Sequence, residues 1–133
     1  MAGRPPALPP ARVRRIVRGV LRRERRRMTL SITFLGPGRM QALNLAWKGH
    51  DRPTDVLSFA LPAPGGELLG DVYICRSVAL REARVRGISL GEELVRLVVH
   101  GTLHVLGYDH PEGEPRTSSD MWRRQERYVK AFK

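Results

Sequence analysis

The sequence has little cysteine, comparatively few acidic residues and no long apolar run. These shortages limit the disulfides, the charge balance and the membrane segments that the chain can have. The single cysteine, Cys75, excludes an internal disulfide and suits a reducing compartment, so we expect a cytoplasmic location. No apolar run approaches the roughly 18–20 residues that span a bilayer, and the N-terminus has no apolar signal-peptide core. We therefore expect neither a membrane-spanning segment nor a secretory signal.

The shortage of acidic residues leaves the chain strongly basic. There are 13 Asp and Glu against 24 Lys and Arg, which gives a net charge of +11. Such a balance predicts a polyanionic partner, with nucleic acid the first candidate, an acidic membrane surface the second, and a merely basic surface the alternative. The densest cluster ends a predicted amphipathic helix over residues 11–27 and is either an RNA backbone contact or a solvated face. Its members are Arg22, Arg23, Arg25, Arg26 and Arg27.

The pattern of apolar residues predicts one folded domain. At 133 residues the chain is long enough to bury a single core. Residues 1–10, with four prolines, are predicted to be a flexible tail, and residues 11–133 the domain. Strands are predicted over 28–35, 54–61 and 68–76, and helices over 11–27, 39–47, 78–86, 89–106 and 119–132. The result is an α+β fold.

Three of the four histidines fall within residues 100–110. His100 and His104 are four apart and so share one face of the predicted helix. Gly107 permits the left-handed conformation that ends a helix, after which His110 can fold back toward the other two. Three imidazoles with no cysteine nearby are the donor set of a catalytic zinc site whose fourth position holds water. We predict one Zn²⁺ per chain on His100, His104 and His110; the alternative is three unrelated histidines.

The spacing His-x3-His-x5-His also occurs in metzincin metalloproteases, which carry a glutamate base directly after the first histidine. Gly101 stands at that place here, which counts against a metzincin-like protease. The full string HGTLHVLGYDH instead resembles the signature of the YbeY family, the bacterial metal-dependent endoribonucleases of rRNA maturation.

Two further stretches carry the same resemblance. Residues 43–59 are similar to the family motif L-N-x-x-[aromatic]-R-x-x-D-x-P-T-[DN]-V-L-S-F, and residues 68–76 resemble its G-D-[IV]-x-I segment. The residues that match the first motif are Leu43, Asn44, Asp51, Pro53, Thr54, Asp55, Val56, Leu57, Ser58 and Phe59. The chain departs at Lys48, where the family has an arginine thought to act on RNA. Lysine keeps the charge but loses the planar fork.

The resemblance implies a mixed sheet of about four strands with helices packed around a central His-bearing helix. It also implies a single-strand-specific endoribonuclease acting in maturation of the 3′ end of small-subunit rRNA and in ribosome quality control. The expected partners are rRNA and the ribosome or small-subunit assembly factors, with no membrane and no small-molecule cofactor. The alternatives are a non-catalytic basic assembly factor that binds RNA or the ribosome around a structural zinc, and a metzincin-like protease.

Two kinds of residue would assist such a zinc site. Lys48, in a polar stretch, is predicted to be the catalytic cation that holds the phosphate. A carboxylate usually orients a ligating imidazole, and Asp71 and Asp109 are the candidates. Asp109 is equally well placed to be only a turn former.

Overall fold

The computed structural model describes residues 8–109 and 119–133, and within them the chain forms five α-helices and three strands, with a short 3-10 turn (Pro64–Gly66) before the third strand. In chain order these are α1 (Pro10–Glu24), β1 (Met28–Leu35), α2 (Pro37–Lys48), β2 (Val56–Pro62), β3 (Leu68–Cys75), α3 (Arg76–Arg86), α4 (Leu90–Val105) and α5 (Asp120–Phe132). The predicted α+β class is confirmed. The described residues contain three strands rather than the four that the resemblance implied, and no helix among them is long and apolar enough to cross a bilayer.

The three strands form one mixed sheet with β3 in the centre. β1 pairs with β3 in parallel, and β2 pairs with it in antiparallel orientation. Side chains alternate between the two faces of a strand, so Val72 and Ile74 share one face of β3 while Asp71 and Tyr73 share the other. Val72 is fully buried against Gly101 of α4. The first face of the sheet is therefore the one that α4 covers.

The His-bearing helix α4 runs through the core, as predicted. Its N-terminus is capped by Ser89, whose hydroxyl accepts a hydrogen bond of 3.0 Å from the Glu92 backbone N–H. Most of its side chains are buried, between the sheet on one side and α1, α3 and α5 on the others. It ends where Gly107 adopts a φ of 105° and its N–H donates to the carbonyl of His104.

The N-terminal helix differs from its predicted bounds at both ends. Leu8 is 1% exposed in the core and α1 begins at Pro10, so the end of the predicted tail belongs to the folded part; residues 1–7 lie outside the described residues. At the other end the helix stops at Glu24, because Arg25 takes a left-handed φ of 55°. Arg26 and Arg27 then lead into β1. No glycine marked this stop in the sequence.

Candidate active site

His100 and His104 lie together on the exposed stripe of α4. Their rings are stacked, with centroids 5.9 Å apart and planes within 10° of parallel. His100 is half-buried and His104 is exposed. The third predicted ligand, His110, lies outside the described residues. The structure thus brings two of the three predicted ligands side by side, and the part of the chain from 8–109 and 119–133 contains no group of three candidate metal ligands.

A buried amide, which the sequence did not reveal, holds the first of these rings. His100 Nδ1 lies 2.7 Å from Gln125 Oε1, and Gln125 is 1% exposed. The amide oxygen can only accept, so Nδ1–H is the donor and the ring lone pair lies on Nε2. That is the tautomer a metal ligand through Nε2 requires. The sequence held one signal: Gln125 is a polar residue on the apolar face of α5, between Met121 and Tyr128.

An ion pair fixes the amide in turn. Gln125 Nε2 donates to Glu126 Oε2 over 3.0 Å, and Arg96 donates to both Glu126 oxygens, at 2.9 and 2.8 Å. Burial would raise the pKa of Glu126, but the hydrogen bonds from Arg96 and Gln125 outweigh it and lower that pKa. Glu126 therefore stays ionised and accepts, which turns the amide oxygen of Gln125 toward His100.

The two carboxylates predicted to orient an imidazole occupy different places. Asp71 lies on the face of β3 that is turned away from α4, in register with Ser31 and Phe59. Strand alternation directs the Asp71 side chain away from His100, whose Nδ1 is bonded to Gln125 instead, so Asp71 does not orient that ring. A role of Asp71 toward another ligating imidazole stays a prediction. Asp109 is exposed in the turn that follows α4, and its role stays a prediction.

Gly101 leaves no room for a side chain. A Cβ added there would lie 2.5 Å from Val72 Cγ1 and 3.2 Å from Ser58 Oγ. The first distance is shorter than real carbon contacts, so α4 approaches the sheet as closely as it does because residue 101 is a glycine. A glutamate base at this position would not fit, which adds a steric argument against the metzincin-like protease.

Lys48 ends α2 beside two aromatic rings. Its ammonium is 5.8 Å from the centroid of the Phe59 ring, which Trp47 also contacts with centroids 5.6 Å apart. The helical spacing of Met40, Leu43 and Trp47 predicts that all three point inward, but Trp47 is 68% exposed. Phe59 and Ser58 are consecutive residues of the edge strand β2, and Ser58 faces Gly101 on the opposite side. Lys48 and α4 therefore approach the same stretch of β2 from its two faces; the catalytic role of Lys48 stays a prediction.

The five clustered arginines are all exposed. Arg22 and Arg23 lie on the last turn of α1, and the other three follow the helix. Arg22 and Arg23 line a groove of about 590 Å³ with Gly19 and Phe132 and with Arg14, Arg15 and Arg18. The Arg23 guanidinium stacks 4.9 Å from the Phe132 ring centroid. The result is a continuous basic surface along α1, whose contact with RNA stays a prediction.

Together these features define a class: a strongly basic α+β domain that presents stacked histidines from its central helix as a candidate metal site. Comparison with known proteins then identifies the family. The family model described as Endoribonuclease YbeY matches residues 7–133. The chain belongs to the YbeY family.

Several curated relatives named Endoribonuclease YbeY are similar to this chain. The protein from Chromohalobacter salexigens is 47% identical over 87 residues, covering 63% of this chain and 56% of that protein. The one from Mycobacterium ulcerans is 38% identical over 114 residues, covering 77% and 63%. The one from Anaeromyxobacter sp. is 44% identical over 104 residues, covering 77% and 53%. The chain thus spans between half and two thirds of these relatives.

The fold is similar to a solved structure. The solution structure of TM1509 from Thermotoga maritima superposes with a TM-score of 0.65 at 29% sequence identity, covering 90% of this chain and 78% of that one. Agreement over nine tenths of the chain supports the arrangement of helices and strands described above.

Proposed function

We propose that this protein is a zinc-dependent, single-strand-specific endoribonuclease that hydrolyses RNA phosphodiester bonds in the cytoplasm. Its substrate would be rRNA, in maturation of the 3′ end of the small subunit and in ribosome quality control, with the ribosome or its assembly factors as partners. The observation that carries the proposal is the stacked pair His100 and His104 with Gln125 on the inner ring, in a chain of the YbeY family.

The described donors fit a zinc ion. Two imidazoles one helical turn apart, with nearly parallel rings, lie on the same side of α4. The buried amide selects the tautomer that ligation through Nε2 needs, and the exposure of His104 leaves the site open to solvent. His100 and His104, with His110, would hold the ion. When bound, zinc supplies a water whose pKa is lowered to about 7.

The chain's own cations would stabilise the charge on the phosphate and bind the RNA. Phosphodiester hydrolysis places growing negative charge on the phosphoryl oxygens, and a fixed cation stabilises that charge. Lys48 is the residue we propose for it. It lies on the face of β2 opposite to α4, but β2 is an edge strand of the described sheet and Lys48 is exposed, so its long side chain can extend past that edge toward the phosphate. The exposed arginines at the end of α1 would bind the phosphates of the flanking RNA.

The test is cleavage of a short single-stranded RNA by metal-free and zinc-restored protein. We expect about one Zn²⁺ per chain, cleavage only with zinc, and loss of both zinc and cleavage in His104→Ala. His50→Ala is the matched control, because His50 is exposed in the loop between α2 and β2 and should leave both unchanged. Cleavage by metal-free protein and by His104→Ala at the rate of zinc-loaded wild type would contradict the proposal.

A second function has its own support in the basic surface along α1. A non-catalytic assembly factor would use that surface to bind RNA or the ribosome, with zinc as a structural brace. The same experiment separates the two functions. An assembly factor would bind zinc and RNA and leave the RNA intact at every zinc concentration.

A further inference from the structure

We propose that Gln125 is a positioning residue for His100, and that the Arg96–Glu126 ion pair holds Gln125 in place to do this. The inference rests on the proposed function for its metal, but it concerns the tautomer and the ring orientation of one histidine. It assigns a role to α5, which contributes none of the predicted metal ligands.

The direction of the hydrogen bonds is settled by chemistry. A carboxylate only accepts, so the amide N–H of Gln125 must face Glu126 and its oxygen must face His100. An oxygen facing Nδ1 at 2.7 Å requires hydrogen on Nδ1, because two acceptors at that distance would repel. The amide therefore selects one of the two neutral tautomers of His100.

Burial makes the selection strong. Gln125 is 1% exposed, so water does not replace either of its hydrogen bonds when the side chain turns. A buried amide that loses its partners costs considerably more free energy than an exposed one. Both polar ends of Gln125 have partners in the observed orientation, whereas a flipped amide would set its oxygen against the Glu126 carboxylate, and two acceptors repel each other.

The Arg96–Glu126 ion pair completes a ring of side-chain contacts between α4 and α5. Arg96 is bound to both oxygens of Glu126 and also contacts Glu93 at 3.3 Å, and its side chain is 11% exposed. Arg96 lies one turn before His100 on α4, and Glu126 directly follows Gln125 on α5. Four side chains thus connect α4 to α5 and return to α4, so the ring of His100 cannot turn without breaking the connection.

The experiment compares wild type with Gln125→Met, which has similar length and no polar end, and Gln125→Glu, which keeps an acceptor for Nδ1. Long-range ¹⁵N NMR of metal-free protein at about pH 9, well above the ordinary histidine pKa of about 6.5, reports the tautomer of each neutral ring. We expect His100 to carry its hydrogen on Nδ1 in wild type and in Gln125→Glu, and a mixture of tautomers in Gln125→Met.

Zinc affinity gives a second readout. By competition with a chelating dye, Gln125→Met should bind zinc roughly 10- to 100-fold more weakly than wild type. Gln125→Glu keeps the acceptor for Nδ1 but loses the N–H that Glu126 accepts, so it should restore only part of the loss. Gln41→Leu is the matched control. Gln41 lies on α2 and donates to Asp51 in the loop that follows this helix, so its replacement should change neither readout.

The outcomes separate this inference from the proposed function. Hydrogen on Nε2 of His100 in metal-free wild type would overturn the inference without any variant, even if Gln125→Met did not fold. An unchanged tautomer and zinc affinity in a folded Gln125→Met would overturn it too. A shifted tautomer and weakened zinc binding, in a protein that never cleaves RNA, would support the role of Gln125 and contradict the endoribonuclease.

Discussion

At the scale of single residues, Gly101 sets how closely the histidine helix approaches the sheet. Alanine favours a helix over glycine by about 1 kcal/mol, but a Cβ here would meet Val72 at 2.5 Å. Since overpacking costs about 1–3 kcal/mol, Gly101→Ala should lower the free energy of unfolding, as urea denaturation would show.

Gly38 provides the matched control for that prediction. It lies near the start of α2 with nothing within 4 Å of an added Cβ. Gly38→Ala should therefore leave stability unchanged or raise it by up to about 1 kcal/mol. Equal effects of the two substitutions would mean that α4 and the sheet separate easily to admit a methyl group.

Lys48 gives a prediction about rate. If its ammonium stabilises the transition state, Lys48→Ala should slow single-turnover RNA cleavage by on the order of 10²-fold with zinc content and RNA affinity nearly unchanged. Lys48→Arg should keep the activity, because arginine offers charge and a fork. Lys130→Ala, an exposed lysine on α5, is the control. A Lys48→Ala rate equal to wild type would remove Lys48 from the mechanism.

Residue spacing in the sequence predicted the placement of some of these side chains but gave no information on others. The placement of His100 over His104 follows from the helical period alone. The role of Gln125 depends on how α5 docks against α4, a contact between residues 25 apart that no local pattern encodes. The inward prediction for Trp47 was wrong for a related reason. Its helical spacing fits an inward position, but the ring that it packs on, Phe59, belongs to the edge strand, and the Trp47 side chain stays exposed to solvent.

At the scale of elements, Glu24 joins three parts of the fold. From the last turn of α1 it accepts hydrogen bonds from Tyr108 after α4, at 2.6 Å, and from Tyr128 on α5, and it pairs with Arg124 at 3.1 Å. Burial alone would raise the pKa of Glu24, but the two tyrosine hydroxyls and Arg124 lower it below the ordinary value of 4.5. Burial and the bond to Glu24 raise the pKa of Tyr128 to about 12.

The lowered pKa predicts a pH-dependent stability. A carboxyl group whose pKa is lower in the folded than in the unfolded state stabilises above the unfolded value, and that stability is lost as pH falls through the folded one. Glu24→Gln should thus cost about 1–3 kcal/mol at pH 7, and the difference from wild type should shrink below about pH 4. Urea unfolding at both pH values measures it.

An exposed carboxylate serves as the control for Glu24. Glu67 lies just before β3 and is exposed, so Glu67→Gln should change stability little at either pH. A gap between wild type and Glu24→Gln that stays the same at low pH would show that packing, and not the charge of Glu24, connects the three elements.

The sequence predicted which segments are helices and which are strands more accurately than it predicted where each one ends. The cap at Ser89 and the stop at Gly107 were readable, because each residue has a specific backbone role. The end of α1 was not, since Arg25 turns the chain in a conformation that favours glycine. The fourth strand implied by the resemblance had no matching strand pattern, and the described residues contain three.

At the scale of the whole molecule, charge should dominate RNA binding. Affinity for single-stranded RNA should fall steeply with salt, with a slope of about 0.7 per phosphate contact. Replacing the five clustered arginines with glutamine should flatten that slope if α1 binds the backbone. The residues to replace are Arg22, Arg23, Arg25, Arg26 and Arg27. Fluorescence anisotropy of a labelled RNA across a salt series measures the slope.

Removal of charge elsewhere distinguishes a local contact from net charge. Arg76, Arg81 and Arg84 are exposed on α3, away from the groove beside α1. Their replacement with glutamine should flatten the slope less per charge removed. Equal effects per charge would mean that α1 is only a solvated face and that the RNA lies elsewhere.

The net charge and the class of fold were evident in the composition and the periodic pattern, because neither depends on distant contacts. Only part of the basic groove could be predicted from the sequence. Its arginines are adjacent in sequence, but Phe132, which closes it, comes from the other end of the chain.

The order of the elements bears on how the protein folds. β2, β3, α3 and α4 follow one another along the chain and pack together, whereas β1 reaches β3 across a crossover, and α1 and α5 come from the two ends. Closing a longer loop costs more entropy, so contacts between neighbouring elements form at lower cost. We expect α4, which carries His100 and His104, to pack on the β2–β3 hairpin first during folding. His100 would then take its final ring orientation only when α5 docks.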